Sequence, residues 1–133
     1  MPSNSEYTHN VIVVETDIDE LNHVNNVVYL QYAQDIATAH WESVASPELQ
    51  EKVIWVARRH EIDYLKQALL GDKLVIKTRV GEYTAAIWER HYEMFRESDG
   101  QLLVRAKSVW VPLDRNTHRV KRIEGEILCC FLG

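Results

Sequence analysis

The sequence predicts an α+β fold in which one curved antiparallel β-sheet wraps around a single long central helix. Three observations predict it. The stretch from Asn26 to about Ser43 is apolar on nearly every side, which marks a buried helix and not a surface one. From Val53 onward the apolar period changes from helical to two, over four successive runs. Short Gly- and Asp-containing turns separate most of those runs, which predicts hairpin connections and so an antiparallel sheet. A chain of 133 residues is read as one domain, residues 1–133, large enough to bury a core.

Bulk properties narrow the function classes. Hydrophobic residues make up 46% and charged residues 26%, ordinary proportions for a globular domain. A formal net charge of −5 disfavours nucleic acid as the main partner, because phosphate binding needs clustered Lys and Arg. No apolar run approaches the roughly 20 residues that span a bilayer, and residues 1–6 are polar and read as frayed, without a signal-peptide core, so no membrane is expected. The only cysteines, Cys129 and Cys130, are adjacent and form no disulfide framework; they are expected to be inert thiols in a reducing, cytoplasmic setting. The six histidines do not fall at metal-ligand spacing, and neither a metal nor a cofactor is expected.

Each element has its own signal. Tyr7 to Thr16 reads as a strand with apolar residues on both faces, Val11 and Val13 against Ile12 and Val14, hence buried on both sides or at a subunit contact. The long helix is capped by Asn25 or Asn26 and buries Val27, Val28, Leu30, Ala33, Ile36, Ala37 and Trp41. Ser46 and Pro47 start a short helical turn. Val53 to Leu65 forms a long strand with Val56, Ile62 and Tyr64 on one face, and Gly71-Asp72 turns the chain. Lys73 to Val80 alternates Leu74, Ile76, Thr78 and Val80 against Val75, Lys77 and Arg79, until Gly81 breaks it. Thr84 to Arg96 follows, then the Ser98-Asp99-Gly100 hairpin signal. Leu102 to Leu113 closes the sheet with Pro112 near its end, and Glu124 to Cys130 reads as a short final helix. Trp88, Trp110 and the long strands point to a second subunit covering the sheet, so a homo-oligomer, a dimer or a dimer of dimers, is expected.

The chemistry concentrates in Asp17-Ile18-Asp19-Glu20-Leu21-Asn22-His23-Val24-Asn25-Asn26, a polar loop between an apolar strand and the apolar helix. Asp17 and Asp19 have a plain alternative role as Asx-turn formers, as loop aspartates commonly do. Asn25 and Asn26 are most simply caps, a role compatible with an anion site, because the first-turn amides of a helix lack intrahelical partners. A lone His23 more often holds a loop than reacts. Tyr29 suits a wall packed beside substrate as well as a contact to it. Glu61 and Asp63 share one strand face and are read as solvated.

The segment Asp19-Glu20-Leu21-Asn22-His23-Val24-Asn25-Asn26-Val27-Val28-Tyr29 resembles the Asp-x-x-x-His-Val-Asn-Asn-x-x-Tyr pattern of the hotdog-fold acyl-CoA thioesterases, in the branch of 4-hydroxybenzoyl-CoA and bacterial long-chain acyl-CoA thioesterases. A second stretch, Tyr64-Leu65-Lys66-Gln67-Ala68-Leu69-Leu70-Gly71-Asp72, is similar to the family's Tyr-Leu-x-Pro-Ala-x-x-Gly-Asp, with Gln67 in place of Pro. The resemblance covers about Tyr7 to Leu128. It implies a hotdog fold, a catalytic carboxylate at Asp19 that attacks the thioester or activates water, and an oxyanion donor at the Asn26 backbone N–H. It further implies an acyl channel beside the helix at a subunit interface, with CoA running over the neighbouring subunit.

Thioester hydrolysis needs a nucleophile or base, an oxyanion stabiliser and a dry slot, and Asp19, the helix start and the apolar residues Val27, Val28, Tyr29, Val56 and Ile62 offer all three. His23, Asn25 and Tyr29 are candidate substrate contacts. Arg58, Arg59 and Lys66, with Arg90 and Arg105, are candidates for the phosphates of CoA. The expected activity is hydrolysis of an acyl-CoA to free acid and CoA. The rivals are a carrier-protein thioesterase, a hotdog dehydratase that would depend on His23, and a non-catalytic acyl-CoA binding module.

Overall fold

The computed structural model describes residues 4–133, so the reading of residues 1–3 lies outside it. Strand β1 (Glu6–Ile12) leads through a 3₁₀ turn (Glu15–Asp17) to helix α1 (Asn26–Val44). Helix α2 (Pro47–Lys52), with Ser46 accepting from Leu49 N–H at 3.1 Å as its cap, hands over directly to β2 (Val53–Tyr64). Strands β3 (Lys73–Tyr83), β4 (Trp88–Arg96) and β5 (Leu102–Asp114) follow, and α3 (Gly125–Leu132) ends the chain.

The five strands form one antiparallel sheet in the order β1-β3-β4-β5-β2. Only β3–β4 and β4–β5 are hairpins. The expected hairpin between β2 and β3 is corrected: β2 pairs with β5, and the chain then crosses past β5 and β4 to reach β3, leaving β1 and β2 as the two edges. Position at an edge also overturns the reading of the first strand as buried on both faces. Along Glu6–Ile12 exposure simply alternates, and Ile12 is 59% exposed.

Helix α1 lies across the inner face of the sheet. Its buried residues are Tyr29, Tyr32, Ala33, Ile36, Ala37, His40 and Trp41, while Val27 is exposed. The N-terminal half packs on Leu74, Ile76, Tyr92, Met94, Val104 and Ala106. The C-terminal half packs with α3 and the sheet's far end, joining Trp41 to Val53, Trp88, Ile127 and Phe131. These two clusters form a core long enough to follow the whole helix.

Three further readings change in the folded chain. A register shift between Ala57 and Arg59 puts an extra residue, Arg58, into β2. An inserted residue flips the side-chain alternation that follows. Val56 therefore faces outward opposite Val111, with Arg59 and Glu61, whereas Ile62 and Tyr64 face inward, so Val56 forms no wall of an inner slot. Gly81 does not end β3. The strand continues to Tyr83, and a Cβ at Gly81 would stand 2.7 Å from His91 Nε2, so any larger residue requires the His91 imidazole to move. The next strand starts at Trp88, four residues later than expected, because Thr84 Oγ1 accepts from the Ala86 and Ile87 N–H groups in a turn. Trp88 and Trp110, opposite one another across β4–β5, point inward, and Trp88 is buried by its own chain, so neither tryptophan argues for a covering subunit.

Candidate active site

The polar loop is built by its own backbone. Ile18 and Val24 form an isolated antiparallel bridge that closes it. Between them Asp19 N–H donates to His23 C=O at 2.8 Å and Asn22 N–H to Asp19 C=O at 3.1 Å. Asn22 sits at φ +62°, a left-handed conformation that asparagine tolerates better than most residues. The Asp19 carboxylate finishes the turn, its Oδ1 accepting from Leu21 N–H (2.8 Å) and His23 N–H (3.2 Å). Among the described residues no hydrogen bond reaches Oδ2. One oxygen is thus anchored and the other exposed, an arrangement that aims a carboxylate without neutralising it.

Helix α1 begins one turn further on. Asn25 is its N-cap, with Oδ1 accepting from Val27 N–H at 3.1 Å and the carbonyl from Val28 N–H at 2.8 Å. The Asn26 N–H has no hydrogen-bond partner among the described residues, as first-turn amides commonly do not. The positive end of the helix dipole therefore lies beside the Asp19 turn. The Asn26 carbonyl accepts from the Tyr64 hydroxyl at 3.3 Å.

The second sequence motif is the other wall of the loop. Val24 N–H donates to Ala68 C=O at 3.0 Å, and His23 bridges Leu69. Ala68 N–H donates to the Tyr29 hydroxyl at 3.1 Å, and Tyr29 is buried against the rings of Tyr32 and Tyr64. Tyr29 thus ties helix to wall. The segment is locked from below by Arg96, which donates to Asp72 (3.1 Å) and to the Gln67 carbonyl (2.6 Å). Gln67 acts here through its carbonyl.

Asp17 proves to be the loop's inner anchor. Its Oδ2 accepts from the Tyr32 hydroxyl at 2.9 Å and from Val14 N–H at 3.1 Å, and its carbonyl accepts from Asn25 N–H. Burial, and then the Asp17 carboxylate it bonds, push the Tyr32 hydroxyl well above the ordinary tyrosine range. The folded chain therefore joins Asp19, His23, Asn25, Asn26 and Tyr29 in one place. The hydrogen bonds that hold the loop come from the Asp19 and Asp17 carboxylates, the His23 backbone and the Val24–Ala68 contact.

Of the basic candidates only Lys66 belongs to the segment that walls the loop. Arg58 is exposed at the β2 bulge, Arg59 pairs with Glu61 on the outer face, and Lys66 is exposed just after β2. Arg105 is exposed on β5. Arg90 is not at a surface mouth at all: it is 6% exposed, inside the fold. Its Nη1 donates to His40 Nδ1 (2.8 Å) and Thr78 Oγ1 (3.1 Å), while His40 Nε2–H donates to the Asn4 carbonyl (2.6 Å). These bonds require neutral His40, and burial followed by the Arg90 charge pull its pKa down to about 4. Burial likewise lowers Arg90 to about 10, which leaves it charged at neutral pH.

Arg90 lines a cavity of about 260 Å³ beside the C-terminal half of α1. All four tryptophans of the chain, Trp41, Trp55, Trp88 and Trp110, line it too, with Phe131 at its end. Sequence alternation could place Arg90 on the inner face of β4 with Trp88 and Tyr92, but no spacing pattern marks a cavity assembled from seven elements. Among the described residues no group of three or more His, Cys, Asp or Glu side chains converges as a metal site. Burial raises the Cys130 thiol to about 11, far from a reactive thiolate.

Comparison with known proteins places this architecture. The family model for the acyl-ACP thioesterase N-terminal domain matches residues 4–131. The long-chain acyl-CoA thioesterase FadM of Escherichia coli is 24% identical over 115 residues, covering 83% of this chain and 85% of FadM. A chloroplastic palmitoyl-acyl carrier protein thioesterase of Gossypium hirsutum is 27% identical over 107 residues, 74% of this chain. The chain spans only 26% of that protein, and 20% of a similar chloroplastic acyl-[acyl-carrier-protein] hydrolase of Cuphea viscosissima. Among solved structures, a 1,4-dihydroxy-2-naphthoyl-CoA thioesterase of Synechocystis superposes with a TM-score of 0.82 at 18% identity, over 95% of both chains. The fold is the hotdog fold, and the chain belongs to the acyl-ACP thioesterase family.

Proposed function

We propose that this member of the acyl-ACP thioesterase family hydrolyses an acyl thioester, an acyl-CoA in the first place, to the free acid and the thiol. The observation that carries the reading is the Asp19 turn. Its carboxylate has one oxygen fixed by two backbone amides and the other exposed, beside a helix start whose Asn26 N–H is unpartnered among the described residues. Such a carboxylate acts as nucleophile on the thioester carbon or as base toward water. The Asn26 N–H and the helix dipole would receive the charge that develops on the thioester oxygen, an effect worth roughly 3–4 kcal/mol per donor. Asn25 keeps that N–H in place as the cap, and His23 and Tyr29 brace the turn from either side. The cavity beside α1 would house the end of the acyl group.

The substrate's carrier has support in two directions. FadM, with which the chain aligns over most of both lengths, is by its name a CoA thioesterase. The family description and the chloroplastic relatives point to acyl carrier protein. The exposed Arg58, Arg59 and Lys66 near β2 suit the phosphates of CoA or an acidic carrier alike. We further propose a homodimer that seals the unpaired edge of β2, where Val56 (44%), Tyr64 (43%) and Leu65 (45%) stand exposed. A partner there would place its own surface across the loop.

The test is thiol release from matched acyl-CoA and acyl-carrier-protein thioesters of equal chain length, with mass measured by light scattering in the same buffer. Turnover of the CoA esters at kcat/KM at least equal to that of the carrier esters supports the first reading. Turnover confined to carrier esters replaces it with the second, and no turnover on either removes both.

A further inference from the structure

The cavity beside the far half of α1 is apolar in its rings yet carries a cation that no described residue neutralises. Arg90 is buried, and both of its side-chain hydrogen bonds go from Nη1 to neutral acceptors, His40 and Thr78. Phe131 packs under the guanidinium, its ring centroid 5.5 Å from Cζ. The carboxylates nearest by lining, Glu42 and Glu89, make no ion pair with it; Glu89 turns to Lys107 at 3.8 Å. Among the described residues no carboxylate pairs with Arg90, and Met1-Pro2-Ser3 contain none. Its Nε and Nη2 edge makes no hydrogen bond to a described residue. A second donor faces the same shortage: the Trp55 indole Nε1, which belongs to a lining residue, is buried without a hydrogen-bond partner. Buried charges are normally paired, and a buried donor without an acceptor is costly. The cavity therefore holds two donor groups, the Arg90 fork and the Trp55 indole, that its own acceptors, the Glu42 and Glu89 carboxylates included, do not satisfy.

We propose that this cavity is an anion-recognising tail pocket, in which Arg90 receives a carboxylate at the distal end of the acyl group. The ligand class is the thioester of a dicarboxylic acid, in preference to a plain alkanoyl thioester. The free fork of a guanidinium matches a carboxylate with two parallel hydrogen bonds, and the surrounding rings exclude the water that would weaken them. Length fits as well. From Asn26 to Ala37, the first helix residue lining the cavity, eleven residues of helix span roughly 17 Å at 1.5 Å per residue. An extended chain advances roughly 3.5 Å per three bonds, so about 14 bonds cover that distance. This inference rests on the thioesterase reading for the position of the reacting end, and not for the pocket's preference for an anion.

The experiment uses two S-alkyl pantetheine thioethers of fourteen carbons, one ending in methyl and one in carboxylate. They cannot be hydrolysed and carry the arm common to CoA and carrier protein. Because all four tryptophans line the cavity, intrinsic fluorescence reports its occupancy. The carboxylate-ended probe is expected to bind at least tenfold more tightly to the wild-type protein, with the ratio falling to about one in Arg90→Met and lying between in Arg90→Lys. Should Arg90→Met fail to fold by circular dichroism, Arg90→Lys, which keeps charge but loses the fork, carries the comparison. Equal binding, tighter binding of the methyl-ended probe, or a preference that survives both substitutions overturns the proposal. A preference that follows Arg90, in a protein that hydrolyses neither corresponding thioester, upholds the pocket and contradicts the hydrolase reading instead.

Discussion

At its first turn α1 borders a loop whose carboxylate stands in solvent and is aimed by backbone amides; near its last turn the same helix buries His40 against Arg90, which lines a cavity with four tryptophans. The first end spends little on desolvation. Asp19 keeps one oxygen in water, and Leu21 and His23 supply donors that cannot rotate away. The second end holds its charge in a low-dielectric setting with neutral partners only, where each missing hydrogen bond has a large effect. Reactivity suits the former, because a base must exchange protons with its surroundings. Selectivity suits the latter, because a desolvated guanidinium discriminates strongly between a ligand that satisfies it and one that does not.

The contrast can be broken most forcefully at the buried end. Replacing His40 by Leu removes the Nδ1 acceptor and strands a charge inside the core, so the urea midpoint should fall by the equivalent of about 3 kcal/mol. A loss below about 1 kcal/mol would mean that the network does not hold the far end together.

A smaller effect follows from protons. The folded pKa of His40, about 4, lies below the unfolded value near 6.5, so between those values the unfolded chain binds the proton more readily. The stabilising contribution of neutral His40 is therefore complete above about pH 6.5 and is lost as pH falls toward 4, a loss of about 2.5 kcal/mol between pH 7.5 and 4.5. Chemical denaturation of wild type and His40→Gln across pH 4.5–7.5 reads it as a difference in slope, and parallel curves would contradict it.

The smallest effect belongs to the exposed end. Tyr32→Phe deletes one bond to Asp17, leaves Val14 N–H in place, and should lower stability by about 1 kcal/mol. Turnover should fall several-fold as the loop loosens. An unchanged turnover would separate the Asp17 anchor from the chemistry.

The same contrast governs what could be read from the residues. Local signals exposed the loop: Asp19, His23, Asn25, Asn26 and Tyr29 are near neighbours in the chain, and the folded structure gathers them around one turn. The long helix and the strand alternations were equally local, and they stand with shifted ends. What failed was non-local. A bulge at Arg58 reversed the facing of Val56, and pairing of β2 with β5 replaced a hairpin that short turns favoured. Arg90 stood among the candidates for the phosphates of CoA, because its burial depends on His40, fifty residues earlier, and on α3 folding over it. Asp17 looked redundant beside Asp19 until Tyr32 came to meet it.

The central claim is that Asp19 does the chemistry, and Asp19→Asn tests it most directly, since the amide oxygen can still accept from Leu21 and His23 and preserve the turn. Single-turnover thiol release should fall by about 10²–10⁴, with the melting temperature shifted by no more than about 2 °C. Release within tenfold of wild type, in a variant that folds as well, would contradict the account and move the reacting group to another residue of the loop, His23 first.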